Sequence, residues 1–273
     1  MNTFTEDRKT ARSVESDFLK FRGRPNLFVF GVGLESGSEA LQRLFNHSGN
    51  VFMFGDSGGI EEGILTTISD SLRFHSMRGN EHFGNTVQNI EANVPSLHSF
   101  RAWRPAAHWL PSMFSAFHSL IMPPGGFTGR LIGYQSGQVF RSGYYDGLRM
   151  VYPNARILFV ARNPVDQWAA IKVRMARDSE TEKFVRNTAT HAANWRNYVT
   201  RIESLGDAEI LEYNRDVESF SGYERLCNRV GVPPVSEELH GKCVGRRLAA
   251  VDMEREFFEQ NRTMDLFQRL VSA

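Results

Sequence analysis

Five short apolar runs recur along the chain, at 26–32, 50–54, 130–134, 156–161 and 208–213, and stretches with helical spacing separate them. Arg156-Ile-Leu-Phe-Val-Ala161 shows why the runs read as strands: it is β-branched and aromatic and has no polar alternation, as in a strand covered on both faces. Strands alternating with helices predict an α/β fold in which a central parallel sheet carries helices on both faces. Asn26-Leu-Phe-Val-Phe30 runs into Gly31-Val-Gly-Leu-Glu-Ser-Gly-Ser38 and then into an amphipathic stretch from Glu39 to His47, which reads as strand, glycine loop and helix. Asn163-Pro164 ends the 156–161 run. Proline suits the first turn of a helix, so Arg162 is expected at the carboxyl end of a strand beside a helix amino terminus, a place where anions bind.

The periodicity loosens between about 75 and 130. His75 to Ser99 is polar, Pro105 to Met122 is aromatic and methionine-bearing, and Pro123-Pro-Gly-Gly126 breaks the pattern. An insertion after the second strand lies at the carboxyl edge of the sheet, so 75–130 is expected to wall or lid an acceptor site, with Trp103, Trp109, Phe114, Phe117, His108 and His118 available to it. A helical layer completing the core fits the same residues. Residues 1–22 read as a polar helical arm, and the 273 residues as one domain.

Composition narrows the partners. A net charge of +1 gives no electrostatic reason to expect nucleic acid or an anionic membrane. No apolar run approaches the roughly 20 residues of a membrane span. The amino terminus is too polar for a signal peptide, and Cys227 and Cys243 lack metal-ligand spacing. A reducing cytoplasm, with both cysteines as packing residues or free thiols and no bound metal, is the expectation. Helical surfaces leave room for a homodimer.

Glycines let a loop present successive N–H groups to a phosphate, and the following helix dipole adds about half a positive charge. Gly31-x-Gly33-x-x-x-Gly37 nevertheless departs from the dinucleotide fingerprint, and no Gly-Lys-Ser/Thr closes the loop, which argues against a kinase or ATPase. The order of strand, Ser36-Gly37-Ser38 loop and helix, then Pro153-Asn-Ala-Arg-Ile-Leu-Phe-Val-Ala-Arg-Asn-Pro164, then Glu209-Ile-Leu-Glu-Tyr-Asn-Arg-Asp216 and a helix closing at Val230-Gly231-Val232, resembles the sulfotransferases that use 3′-phosphoadenosine 5′-phosphosulfate. The resemblance covers roughly residues 25 to 235. It implies a P-loop sulfotransferase-like fold and sulfuryl transfer to a small-molecule or glycan acceptor, releasing 3′-phosphoadenosine 5′-phosphate. It further implies that Arg162 binds the 3′-phosphate. The amides of Ser36, Gly37, Ser38 and Glu39, in a loop with Gly33 and Glu35, would hold the 5′-phosphosulfate. Asp56, in Phe52-Met-Phe-Gly-Asp56, matches the position of a carboxylate base, and Arg246 and Arg247 would come from a basic loop that closes over the nucleotide.

Several positions depart from the family's pattern. Glu35 stands where an Arg or Lys is usual, Glu39 where Thr or Ser is usual, Gln135 near a strand lysine, and Ala170 at a serine that follows the 3′-phosphate arginine. Arg130, Arg141 and the pair Arg246-Arg247 are the candidate replacements for the missing cations. Asp56 also suits a helix N-cap, and His47 suits either a structural turn or a general base. Two alternatives stay open: a sulfotransferase-like binding protein with a degraded nucleotide site, and a nicotinamide-dinucleotide oxidoreductase, for which Asp56 follows Gly31 by 25 residues.

Overall fold

A computed structural model describes residues 27–54, 131–136, 145, 148–149, 154–177, 187–244 and 252–272, with 131–136 as backbone. The chain divides into two units, one of Met1–Arg24, Ile60–Phe127 and Arg141–Asn154, the other of Pro25–Gly59, Thr128–Phe140 and Ala155–Ala273. Nearly all described residues belong to the second unit. Its elements begin with β1 (Leu27–Gly31), α1 (Ser38–His47), β2 (Val51–Phe54), β3 (Leu131–Ser136), β4 (Arg156–Ala161) and α2 (Pro164–Met175). They continue with α3 (Thr188–Glu203), β5 (Glu209–Glu212), a π-helical turn (Tyr213–Glu218), α4 (Phe220–Val230), α5 (Glu237–Val244), α6 (Asp252–Gln260) and α7 (Thr263–Ser272).

The five strands form one parallel sheet in the order β2-β3-β1-β4-β5. Each coincides with one of the apolar runs, trimmed or extended by one or two residues. Strand β1 is central: Leu27 lies opposite Gly133 of β3 and Arg156 of β4, and Gly31 opposite Val160. The pairing continues past the strand, since Val32 N donates to Val160 O at 2.9 Å.

Period-two alternation sends Leu27, Val29, Leu158 and Val160 to one face, where they pack with Leu41, Leu44 and Phe45 of α1 and with Tyr223, Leu226 and Cys227 of α4. The apolar stripe Ala40, Leu41, Leu44, Phe45 is what makes α1 a helix that docks on that face. On the other face lie Phe28, Phe30 and Phe159, the last two with ring centroids 5.5 Å apart. A second cluster joins Val165, Trp168 and Ile171 of α2 to Ala192 of α3 and Phe258 of α6. The sheet is thus flanked by helices, the architecture expected from the sequence.

Local signals end the elements where they were read. Helix α4 stops at Gly231 in the left-handed region (φ 80°), with Cys227 O accepting from Gly231 N and Val232 N at 2.8 and 2.9 Å. Asn163 caps α2, its side chain accepting from Val165 N at 3.0 Å, and Pro164 fills the first turn. Cys227 and Cys243 are free thiols buried in the α1/α4 layer.

Candidate active site

Loop 32–37 carries the chain from the carboxyl end of β1 to α1. Its φ alternates in sign, positive at Gly33 (83°), Glu35 (57°) and Gly37 (97°) and negative between them. Such alternation turns backbone amides toward one point, the arrangement of an anion-binding nest. Glu35 has a Cβ, so its left-handed conformation costs about 1 kcal/mol that the surroundings must offset. Gly37 has no substitute: besides its positive φ, a Cβ there would enter the Tyr213 ring. Gly37 O accepts from Ala40 N and Leu41 N at 3.1 and 3.2 Å, and Gly37, the N-cap, has no side chain to cap the first turn of α1. The positive end of the α1 dipole therefore faces the loop mouth. The side chains of Ser36 and Ser38 are buried, and Ser36 Oγ donates to Ser38 Oγ at 3.4 Å.

Gln167 fixes the loop from behind. It is 0% exposed; its Nε2 donates to Val32 O at 2.9 Å and Leu34 O at 2.5 Å, and its Oε1 accepts from Trp195 Nε1 at 2.9 Å. One amide thus ties loop, α2 and α3 together. Sequence reasoning missed Gln167; the available signal was an uncharged polar residue inside the otherwise packed run Pro164–Ile171.

Arg162 leaves the end of β4 just before the α2 cap, where the sequence placed it. Its side chain is only 8% exposed, Nη1 donates to Glu35 O at 3.4 Å, and the guanidinium lies over the Tyr213 ring at 4.8 Å. Its Nε is buried with no partner among the described residues. A buried guanidinium with an unsatisfied N–H is costly unless an anion completes it. Tyr213 in turn donates from Oη to Val244 O at 3.0 Å. Burial raises the Tyr213 pKa, against the pull of Arg162, so the phenol stays protonated and can donate.

Glu35, the residue of unexpected sign, is compensated. Arg174 of α2 places Nη1 3.0 Å from Glu35 Oε1 and 3.8 Å from Glu39 Oε1, so the two carboxylates share a guanidinium. Arg174 was not among the cations considered from the sequence. Ala170, on the same helix, is buried. Gln135 lies in β3 opposite Val29. His47 is exposed in the last turn of α1, nine residues or about 14 Å along the helix from the loop, too far to serve as a base there. Asp56, Arg246 and Arg247 lie outside the described residues, as do Arg130, Arg141, the 1–22 arm and the whole 75–130 insertion, including its aromatic and histidine candidates.

His191 supports the site from α3. It is 3% exposed, stacked on Trp168 and edge-on to Phe258, both at 5.7 Å between centroids, and its Nε2 lies 3.3 Å from Pro164 O. The carbonyl only accepts, so Nε2 carries the proton. Burial depresses the His191 pKa to about 4, against the smaller upward effect of that hydrogen bond. The ring is therefore a neutral strut behind the first turn of α2.

A nest after the central strand, a helix amino terminus beside it and a buried arginine from the adjacent strand give this α/β protein an arrangement that suits a phosphate-like anion. The family model for the sulfotransferase family matches residues 25–215, and the chain belongs to that family. A sulfotransferase from Alicyclobacillus acidocaldarius has a similar structure, with a TM-score of 0.51 at 13% identity over 92% of this chain and 96% of that one. The sulfotransferase domain of the Synechococcus PCC 7002 olefin synthase gives 0.42 at 17% identity over 92% and 89%. A sulfotransferase from Mycobacterium tuberculosis gives 0.43 at 12% over 95% and 80%. The first supports the fold; the likeness of the other two is too weak to bear on it. No curated protein sequence matches the chain significantly. With the family assigned, the nicotinamide alternative loses its support.

Proposed function

We propose that the protein transfers a sulfuryl group from 3′-phosphoadenosine 5′-phosphosulfate to a hydroxyl or amine of a small-molecule or glycan acceptor. The observation that carries this reading is Arg162: a buried guanidinium with an unpaired Nε, held by the Glu35 carbonyl and the Tyr213 ring at the carboxyl edge of the sheet. It is suited to the donor's 3′-phosphate, while the 33–37 nest and the α1 dipole suit the 5′-phosphosulfate. In the transfer, the acceptor oxygen or nitrogen forms a bond to sulfur as the bond from sulfur to the bridging phosphate oxygen breaks. The electron pair stays on the 5′-phosphate, and the acceptor proton passes to a base, the role proposed for Asp56. Arg246 and Arg247 are proposed to close over the nucleotide. Val244, two residues before Arg246, is tied by its carbonyl to Tyr213 beneath Arg162, which supports that role. The buried free thiols support a reducing, cytoplasmic setting; among the described residues no helix is long and apolar enough to cross a membrane.

Glu35 and Glu39 at the loop favour one further reading, nucleotide binding without turnover. Calorimetry with 3′-phosphoadenosine 5′-phosphate, on the unaltered protein and on Arg162→Ala, tests the first part. Micromolar binding that weakens at least tenfold in the variant is expected, and no binding by the folded protein rejects the proposal. Binding with no sulfate transfer to a panel of hydroxyl and amine acceptors would favour the second reading.

A further inference from the structure

An indole N–H can only donate, so the 2.9 Å contact from Trp195 Nε1 fixes which end of the Gln167 amide is which. Oε1 faces α3, and both Nε2 hydrogens are left for the loop. They serve two carbonyls two residues apart, Val32 O at 2.9 Å and Leu34 O at 2.5 Å. In a trans peptide the C=O of one residue and the N–H of the next point in opposite directions, and no described peptide bond is cis. Turning the carbonyls of Val32 and Leu34 onto Gln167 therefore turns the N–H groups of Gly33 and Glu35 away from it. Neither of those two amides has an acceptor among the described residues. The contact behind the loop is close: a Cβ on Gly33 would lie 3.1 Å from Gln167 Nε2 and 3.1 Å from the Tyr198 ring. Val32 N is held by Val160 O at 2.9 Å, so the start of the loop is anchored to the sheet as well.

We infer that Gln167 is a positioning residue for the donor's 5′-phosphosulfate, acting by aiming the Gly33 and Glu35 amides at it, an inference that rests on the sulfuryl-transfer reading. Gln167 is wholly buried and acts only through the backbone it holds. Its effect is preorganisation: amides already turned toward the anion need not be reoriented when it binds or when charge collects on the departing phosphate.

Calorimetry on the full chain with two ligands separates this role from a merely structural one: 3′-phosphoadenosine 5′-phosphate, and adenosine 3′-monophosphate, which lacks the 5′ group. Gln167→Met, close in size and without donors, should lose about tenfold in affinity for the first and less than twofold for the second, whereas Arg162→Ala should weaken both. If Gln167→Met does not fold by circular dichroism, Gln167→Glu, which keeps the shape and the acceptor for Trp195, carries the same comparison. The unaltered protein gives an independent readout by amide proton NMR: the Gly33 and Glu35 resonances should move downfield with the bisphosphate and stay in place with the monophosphate. Equal losses for both ligands in the Gln167 variant, or none, would overturn the positioning role, as would Gly33 and Glu35 resonances indifferent to the bisphosphate. An effect of Arg162→Ala would leave the functional reading standing in either case. No binding of either ligand by the unaltered protein rejects the functional reading and this inference together.

Discussion

Replacing His191 by glutamine should flatten the acid side of the stability profile. The imidazole titrates at about 4 in the folded protein against 6.5 in an exposed chain, because burial between Trp168 and Phe258 disfavours the cation. The unfolded chain therefore takes up the proton first. Stability from this group is fully present above pH 6.5 and declines as pH falls, the loss being complete below the folded value. A shift from 6.5 to about 4 corresponds to about 3 kcal/mol at full loss, of which about 2 kcal/mol has gone by pH 5. Urea unfolding followed by the fluorescence of buried Trp168 and Trp195, at pH 7, 6 and 5, reads this directly. In His191→Gln an amide replaces the ring, the donor to Pro164 O is retained without a titrating group, and the carboxylates that also titrate are common to both proteins. The difference between the two profiles isolates His191. The variant should be less stable at pH 7, by about 1 kcal/mol from lost ring packing, and should converge on or overtake the parent by pH 5. Parallel profiles would refute the reasoning and mean that the ring reaches solvent as the pH falls.

Gln167→Leu removes three hydrogen bonds and leaves the Trp195 indole N–H and two loop carbonyls to find other partners; a loss of about 2–4 kcal/mol in urea unfolding is expected. Gly37→Ala forces a Cβ against Tyr213 at a left-handed φ, so nucleotide binding by calorimetry should fall below detection, with a stability loss of about 2 kcal/mol or more. Burial pushes the Cys227 thiol up to about 11, and Cys243 is buried as well. Neither should react with a thiol reagent in the native protein at neutral pH, and both should react in urea; fast native labelling would contradict the packing of the α1/α4 layer.

Features set by short windows of sequence were legible. The five strands follow from apolar runs, the α2 start from Asn163-Pro164, the α4 stop from Gly231, and the placement of Arg162 from what flanks it. Contacts across long separations were not. Gln167 meets Leu34 across 133 positions and Arg174 meets Glu35 across 139, and no local pattern tells which helix side chain will face a given loop. Glu35 consequently read as a charge of the wrong sign, although its partner lies on the helix that follows Arg162. The insertion of β3 between β2 and β1 is likewise a tertiary choice, because a parallel pair needs only a crossover long enough to return.

That strand order has a consequence for the order of events during synthesis. Among the described strands β1 is the first to be made, yet its two neighbours are β3 and β4, so Leu27 waits for Gly133 on one side and for Arg156 on the other. Every hydrogen bond along both its edges closes a loop of more than a hundred residues, the kind of topology that folds slowly because chain entropy is lost before contacts form. Until residue 136 has emerged the apolar run Leu27-Phe-Val-Phe30 is a strand with two open edges, and until residue 161 has emerged the edge that takes β4 stays open. Nascent chains that stop short of β4 are therefore where this protein should be most prone to aggregate and most dependent on chaperones.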